Sequence, residues 1–178
     1  MTAVPVTHTF AAGEVVTDTT MNNSVTAPLN FLLARPICQA RQAVAQSIAT
    51  GGAGTAVTFD SEDVDSSGMH STVSNTSRLT AVYPGWYEHS GGVSWAASAA
   101  GFRVAAWQVN STLVNGSGSD QTAVAALSST RLVARTMLLF LNVADFSELN
   151  AFQSSGGALN TAVTTTEQAT ATAIWTSN

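Results

Sequence analysis

Between Arg78 and Trp95 the chain runs Arg-Leu-Thr-Ala-Val-Tyr, turns on Pro84-Gly85, and continues through Trp86-Tyr87 to Ser90-Gly91-Gly92-Val93-Ser94-Trp95. Pro84 holds φ near the value needed at the second position of a turn, and Gly85 takes positive φ without a Cβ clash, so the chain reverses between two extended segments. Beyond the corner, Tyr87, Val93 and Trp95 share one parity and Trp86 the other, which places large rings on both faces of one strand. The pattern recurs. Met137, Leu139 and Leu141 face one way while Leu138 and Phe140 face the other, and Phe102 and Val104 oppose Ala105 and Trp107. A strand in a two-layer sandwich has one inner face, so a second apolar face requires a strap from the same chain or a neighbouring molecule. Left open, it exceeds the roughly few hundred Å² of contiguous apolar surface that monomers tolerate. Self-association is therefore expected, with Trp86, Tyr87, Trp95, Trp107, Leu138, Phe140 and Trp175 as core or interface residues.

From Ile37 onward, alternation predicts strands over residues 38–48, 55–59, 71–75, 78–82, 86–97, 102–110, 123–134, 137–143, 146–153 and 166–175. Gly51-Gly52-Ala53-Gly54, Asp65-Ser66-Ser67-Gly68, Asn115-Gly116-Ser117-Gly118 and Ser154-Ser155-Gly156-Gly157 punctuate them as hairpins and loops. About 8–10 antiparallel strands at short spacing define a mainly β chain, a single jelly-roll β-sandwich over residues 37–178. Residues 1–36 form a short N-terminal arm and helix. Residues 4–10 are extended, Ala11-Ala12-Gly13 breaks the pattern, and Thr17 or Asp18 caps a helix whose apolar positions are Met21, Val25, Leu29, Leu32 and Leu33. Pro28 interrupts the stripe and biases Ala27 away from helical angles, so the helix kinks there or a second one begins. So narrow a stripe must be covered. Two coverings stand open: the segment straps its own domain, or it packs against other chains as a helix bundle or an attachment device.

Charged residues make up 10% of the chain, against about 25% in ordinary soluble domains. Lysine is absent, the six arginines are scattered and the net charge is −5, so no basic stripe exists for nucleic acid. The first ten residues lack a cationic segment followed by an apolar one, and no run approaches the roughly 20 apolar residues that span a bilayer; neither a signal peptide nor a membrane anchor is expected. Cys38 is the single cysteine, which leaves no internal disulfide and reads as a small buried hydrophobe. The Asn-x-Ser/Thr triplets at Asn22, Asn75, Asn110 and Asn115 read as turn residues.

Nucleophilic catalysis needs a nucleophile, a base and an orienting group in one place. His8, His70 and His89 are the histidines, and no Gly-x-Ser-x-Gly elbow accompanies them. His89 shares the parity of Tyr87 and Trp95, which makes it a packing residue. His70 follows the acidic run Asp60, Glu62, Asp63 and Asp65 and can take a carboxylate partner that orders the loop. Asp63-Val64-Asp65-Ser66-Ser67-Gly68 places alternate oxygen ligands before a glycine, loosely like a calcium loop, but lacks the closing glutamate. Asp60, Asp63 and Asp65 are thus the cation candidates, while the expectation is a solvated loop, no cofactor and no enzymatic activity.

The chain is similar to the compact jelly rolls of the tumour necrosis factor and complement globular-head superfamily. Val82-Tyr83-Pro84-Gly85-Trp86-Tyr87 resembles that superfamily's strand entry. Val109-Asn110 resembles its valine-asparagine-glycine edge with Ser111 in place of the glycine, and 141–149 its Gly-Asp corner with Ala144 in place of the glycine. More narrowly, 59–70 leading into Ser77-Arg78-Leu79-Thr80, then 151–157, and at the front 10–17, Met21-Asn22 and 29–36, resemble virion proteins of tailed phages of actinobacteria. The absence of lysine fits a high-GC genome. The resemblance implies a homotrimer in a virion, either a minor tail or fibre protein or a capsid decoration, joined to other virion proteins through residues 1–36. The alternative is a receptor- or glycan-binding trimer that contacts the host surface, with binding expected at loops 110–120 and 154–161, where turn residues cluster away from the apolar strands.

Overall fold

Two antiparallel sheets enclose the rings of Tyr87, Trp95, Trp107 and Trp175 in the computed structural model, which describes residues 4–122 and 129–178. The strands are β1 (Ile37–Arg41), β2 (Ser47–Ile48), β3 (Thr55–Ala56), β4 (Ser61–Asp65), β5 (Arg78–Thr80), β6 (Gly85–Trp95), β7 (Phe102–Val109), β8 (Thr112–Leu113), β9 (Ser119–Thr122), β10 (Thr130–Leu141), β11 (Phe146–Gln153), β12 (Leu159–Asn160) and β13 (Thr170–Ser177). The first sheet has the order β10-β6-β13-β1-β4. The second has β3-β11-β7-β8, with β5 also on β11 and β9 also on β7, and β12 pairs with β2 apart from both. Neighbours that are far apart in sequence make this the crossed topology of a jelly roll.

Several strands differ from those predicted. Residues 38–48 are two strands rather than one, because 42–46 turn away to take side-chain and loop partners: Gln42 donates to the Thr58 carbonyl and Gln46 to that of Ala56. Residues 71–75 form no strand. The acidic run, read as a loop, is β4, held against β1 through the Arg41–Asp63 ion pair at 2.8 Å. The two strands expected over 123–134 and 137–143 are one in their described part: β10 pairs with β6 throughout, with a bulge between Ala134 and Met137. The extra residue reverses parity, so Leu132 and Ala134 point inward before it and Leu139 and Leu141 after it. The remainder of the first prediction, 123–128, lies outside the described residues.

Two corners keep a left-handed backbone without glycine. Asn110 and Ser111 have φ of 47° and 65°, and Ala144 has φ 72°. Asn110 donates to Asp145 at 2.8 Å and accepts from the Phe146 amide at 3.0 Å, while Asp145 also accepts from the Asn142 amide at 2.8 Å. These bonds hold the Asp145 carboxyl below the usual carboxylate range. Gly85 is required for a different reason: at φ 144°, a Cβ there would strike the Ser177 carbonyl and the Trp175 indole.

The N-terminal segment winds through α1 (Asp18–Met21), a π-helical turn (Asn22–Thr26) and α2 (Ala27–Leu33). Thr17 caps the start by accepting the Thr20 amide. Ala27 is helical, with φ −65° and ψ −46°, contrary to the expected bias before Pro28: the wide π turn absorbs the proline, which sits in the first turn of α2 where its missing N–H is harmless.

Candidate functional site

The seven ring and leucine positions singled out by alternation separate into two groups. Tyr87, Trp95 and Trp107 are fully buried and Trp175 nearly so. Each polar handle in the core that has a partner finds it at short range: Tyr87 donates to the Tyr83 carbonyl at 2.8 Å, Trp107 to Arg135 at 3.0 Å and Trp175 to Pro84 at 3.1 Å. Trp86, Leu138 and Phe140 instead lie on the outer face of β6 and β10, exposed by 42%, 58% and 46%. Phe140 is the direct register partner of Trp86, and their rings meet edge to face at 5.6 Å. The next register row runs Leu138, Glu88, Ile174, Ile37 across β10, β6, β13 and β1. Val133, which alternation did not single out because the bulge shifts its parity, adds a further exposed aliphatic group along β10.

The strap that would cover this face does not do so. Phe31 packs edge to face on Tyr83 and Trp175, at 4.9 and 4.8 Å, and Pro28 is buried. The predicted stripe is not the packed one: Met21, Leu29, Leu32 and Leu33 are exposed and only Val25 is half-buried. Phe31 falls between the stripe positions, so helical periodicity assigned it to the wrong side. The exposed stripe borders a groove of about 310 Å³ between α2 and the arm, lined by Thr7, His8, Phe10, Val25, Leu29 and Leu32. The arm folds on itself through Glu14, which accepts from the Ala11 amide at 2.8 Å and pairs with His8 at 2.7 Å; those bonds hold its carboxyl below the usual range.

The other polar groups named from sequence are dispersed. Asp60 accepts from the amides of Ala43 and Val44, Asp63 pairs with Arg41, and Asp65 accepts from the amides of Ser67, Met69 and His70. Each cation candidate thus serves a separate backbone or ionic partner, and no group of His, Cys, Asp and Glu able to hold a metal ion occurs among the described residues. His70 is clamped between Glu62 at 2.8 Å and the Thr76 carbonyl at 3.0 Å. His89 is fully buried and held on both sides of the ring: Nδ1 lies 3.1 Å from the Tyr87 carbonyl and Nε2 2.8 Å from Ser147 Oγ. Burial lowers its pKa to about 4, against the opposing effect of the Tyr87 carbonyl, so the ring is neutral, donates from Nδ1 and accepts the Ser147 hydroxyl. This serine–histidine contact is enclosed in the core, with both residues fully buried. Burial, with the Asp65 and Glu62 charges adding to it, pushes the Cys38 thiol up to about 12, and the side chain is fully covered.

No protein-family model matches the chain, and no curated protein matches it in sequence. In fold it is similar to solved structures. The globular domain of zebrafish complement 1qA protein matches 81% of this chain and 100% of its own, at 13% identity and a TM-score of 0.55. The Eiger TNF from S. frugiperda matches 81% and 95%, at 8% identity and a TM-score of 0.52. Murine APRIL matches 79% and 98%, at 8% identity and a TM-score of 0.55. The chain therefore has the jelly-roll fold of tumour necrosis factor and complement globular heads.

Proposed function

We propose that this protein is a non-enzymatic structural component of a virion that assembles as a homotrimer, with the outer face of β6 and β10 turned toward neighbouring copies and residues 1–36 attaching it to the particle. One observation carries the reading: Trp86, Leu138 and Phe140 form an exposed apolar face on one edge of the first sheet, and the N-terminal segment leaves it uncovered. The fold and the sequence resemblance to trimeric heads support the same assembly. The exposed Leu29, Leu32 and Leu33 support a second contact, made by the N-terminal helix with another virion protein. Sedimentation of the purified chain, followed by antibody labelling of particles in electron micrographs, tests both parts. A trimer in solution and label on the tail or the capsid are expected; a folded monomer at micromolar concentration, or unlabelled particles, overturns the reading.

A further inference from the structure

The loop joining β4 to β5, residues 66–77, has no regular structure yet is tied down at nearly every step. Asp65 accepts three of its amides, His70 is held by Glu62 and Thr76, Ser71 Oγ accepts the amides of Val73 and Ser74, and the Thr80 amide donates to the Met69 carbonyl. Asn75 sits at φ 50°, a left-handed conformation that the surrounding bonds maintain. The loop and β5 enclose a concavity of about 280 Å³, lined by Gly68, Ser71, Ser74, Asn75, Arg78 and Thr80 among others. Drug-sized ligands occupy roughly 300–1,000 Å³, so this pocket suits one small polar ring rather than an extended chain.

Arg78 gives the pocket its chemistry. Its guanidinium carbon lies over the Phe146 ring, 3.9 Å from the centroid, and its Nε is 3.6 Å from Glu148. Glu148 is itself already engaged by the Ser77 hydroxyl at 2.6 Å and the Gln108 amide at 2.8 Å. Among the described residues, neither terminal nitrogen of Arg78 has an acceptor, and the side chains of Ser74, Asn75 and Thr80 make no hydrogen bond. A stacked planar fork with free donors matches a carboxylate, while free hydroxyls and an amide match vicinal ring hydroxyls. The Glu148 charge behind the fork opposes a dianion such as phosphate more strongly than a monoanion. We propose that this pocket binds a single acidic sugar unit, with Arg78 forked onto its carboxylate and Ser74, Asn75 and Thr80 meeting its hydroxyls. Of the host-surface contacts considered from sequence, the site differs from loops 110–120 and 154–161. Its loop leaves β4, at the opposite edge of the first sheet from β10, and its Arg78 and Thr80 stand on β5, which pairs with β11 of the second sheet.

Titration of the ¹⁵N-labelled full chain with methyl β-glucuronide, methyl β-glucoside and inorganic phosphate tests the proposal. Saturable amide shifts confined to residues 66–80 are expected with the glucuronide, with the glucoside on the order of tenfold weaker, matching loss of the carboxylate contact. Arg78→Lys keeps the charge but not the fork and is expected to weaken the glucuronide on the order of tenfold, with unchanged circular dichroism; Ser74→Ala, on an exposed loop, is expected to weaken it severalfold. No shifts in this loop, or shifts elsewhere only, overturn the site. Equal response to the glucoside overturns the role of the carboxylate, and equal or stronger response to phosphate makes it a general anion site rather than a sugar site. Failure of the trimer in sedimentation would leave each of these outcomes readable.

Discussion

Phe140 and Trp107 are large aromatic residues on strands of one sandwich, and truncation should affect them differently. Trp107 is fully enclosed, meets the His89 ring at 5.3 Å and spends its indole N–H on the Arg135 carbonyl. Trp107→Ala is expected to cost about 3–5 kcal/mol of protomer stability, the range for removing a buried ring together with the cavity it leaves. Phe140 is nearly half exposed, so Phe140→Ala should change the unfolding free energy of the dissociated protomer by no more than about 1 kcal/mol while weakening association. His89 gives a prediction in pH. Its folded pKa of about 4 lies below the ordinary 6.5, so between those values the unfolded chain binds the extra proton. The contribution is complete above pH 6.5, declines as pH falls toward 4 and is lost below it, a change of about 3 kcal/mol for a shift of this size. Urea unfolding at pH 7 and pH 4.5 should show a smaller pH dependence in His89→Gln than in the parent chain; equal slopes would mean that the buried imidazole is not the group responsible.

At the scale of elements, the N-terminal helix belongs to the domain it precedes. Phe31 covers the Trp175 and Tyr83 rings at the end of the sandwich where β6 begins and β13 ends. A chain beginning at Ile37 is expected to retain its β-sheet circular dichroism but to melt below the full chain, and Phe31→Ala alone should reproduce part of that loss, about 1–2 kcal/mol for a half-buried ring. Unchanged melting of both would reduce the segment to an attachment arm. Alternation made β7 and the first half of β6 legible, because buried and more exposed residues take opposite parities there, whereas 92–95 of β6 and 147–151 of β11 are buried on both parities. It could not show that β10 is continuous, since the bulge at Arg135-Thr136 leaves two locally regular patterns of opposite phase. Nor could it show β4, whose Asp and Glu residues have low strand propensity and are held by Arg41, His70 and loop amides contributed from elsewhere. The same limit applies to the candidate interface. Parity states that Trp86 and Tyr87 face opposite ways, but which of them faces the core depends on where the second sheet lies.

For the whole molecule, the decisive property is that the apolar face is one-sided and off-centre. It lies on the β10–β6 edge of the first sheet, while the β4 edge carries Arg41, Glu62 and Asp63. Copies related by rotation can bury such a face in a closed ring, which removes the exposed rings without leaving a repeating surface for further growth. If so, the thermal midpoint must rise with protein concentration, because association stabilises only the folded state. Replacing Leu138 with Glu places a charge beside Glu88 in the same register row, where like charges directly opposite one another are destabilising in a sheet and costly to bury at an interface. Leu138→Glu is therefore expected to sediment as a folded monomer whose midpoint is independent of concentration, while the parent sediments as a trimer. A parent chain with a concentration-independent midpoint would mean that Trp86, Leu138 and Phe140 face a different partner, and the same variant would then be expected to lose incorporation into particles without any change in sedimentation.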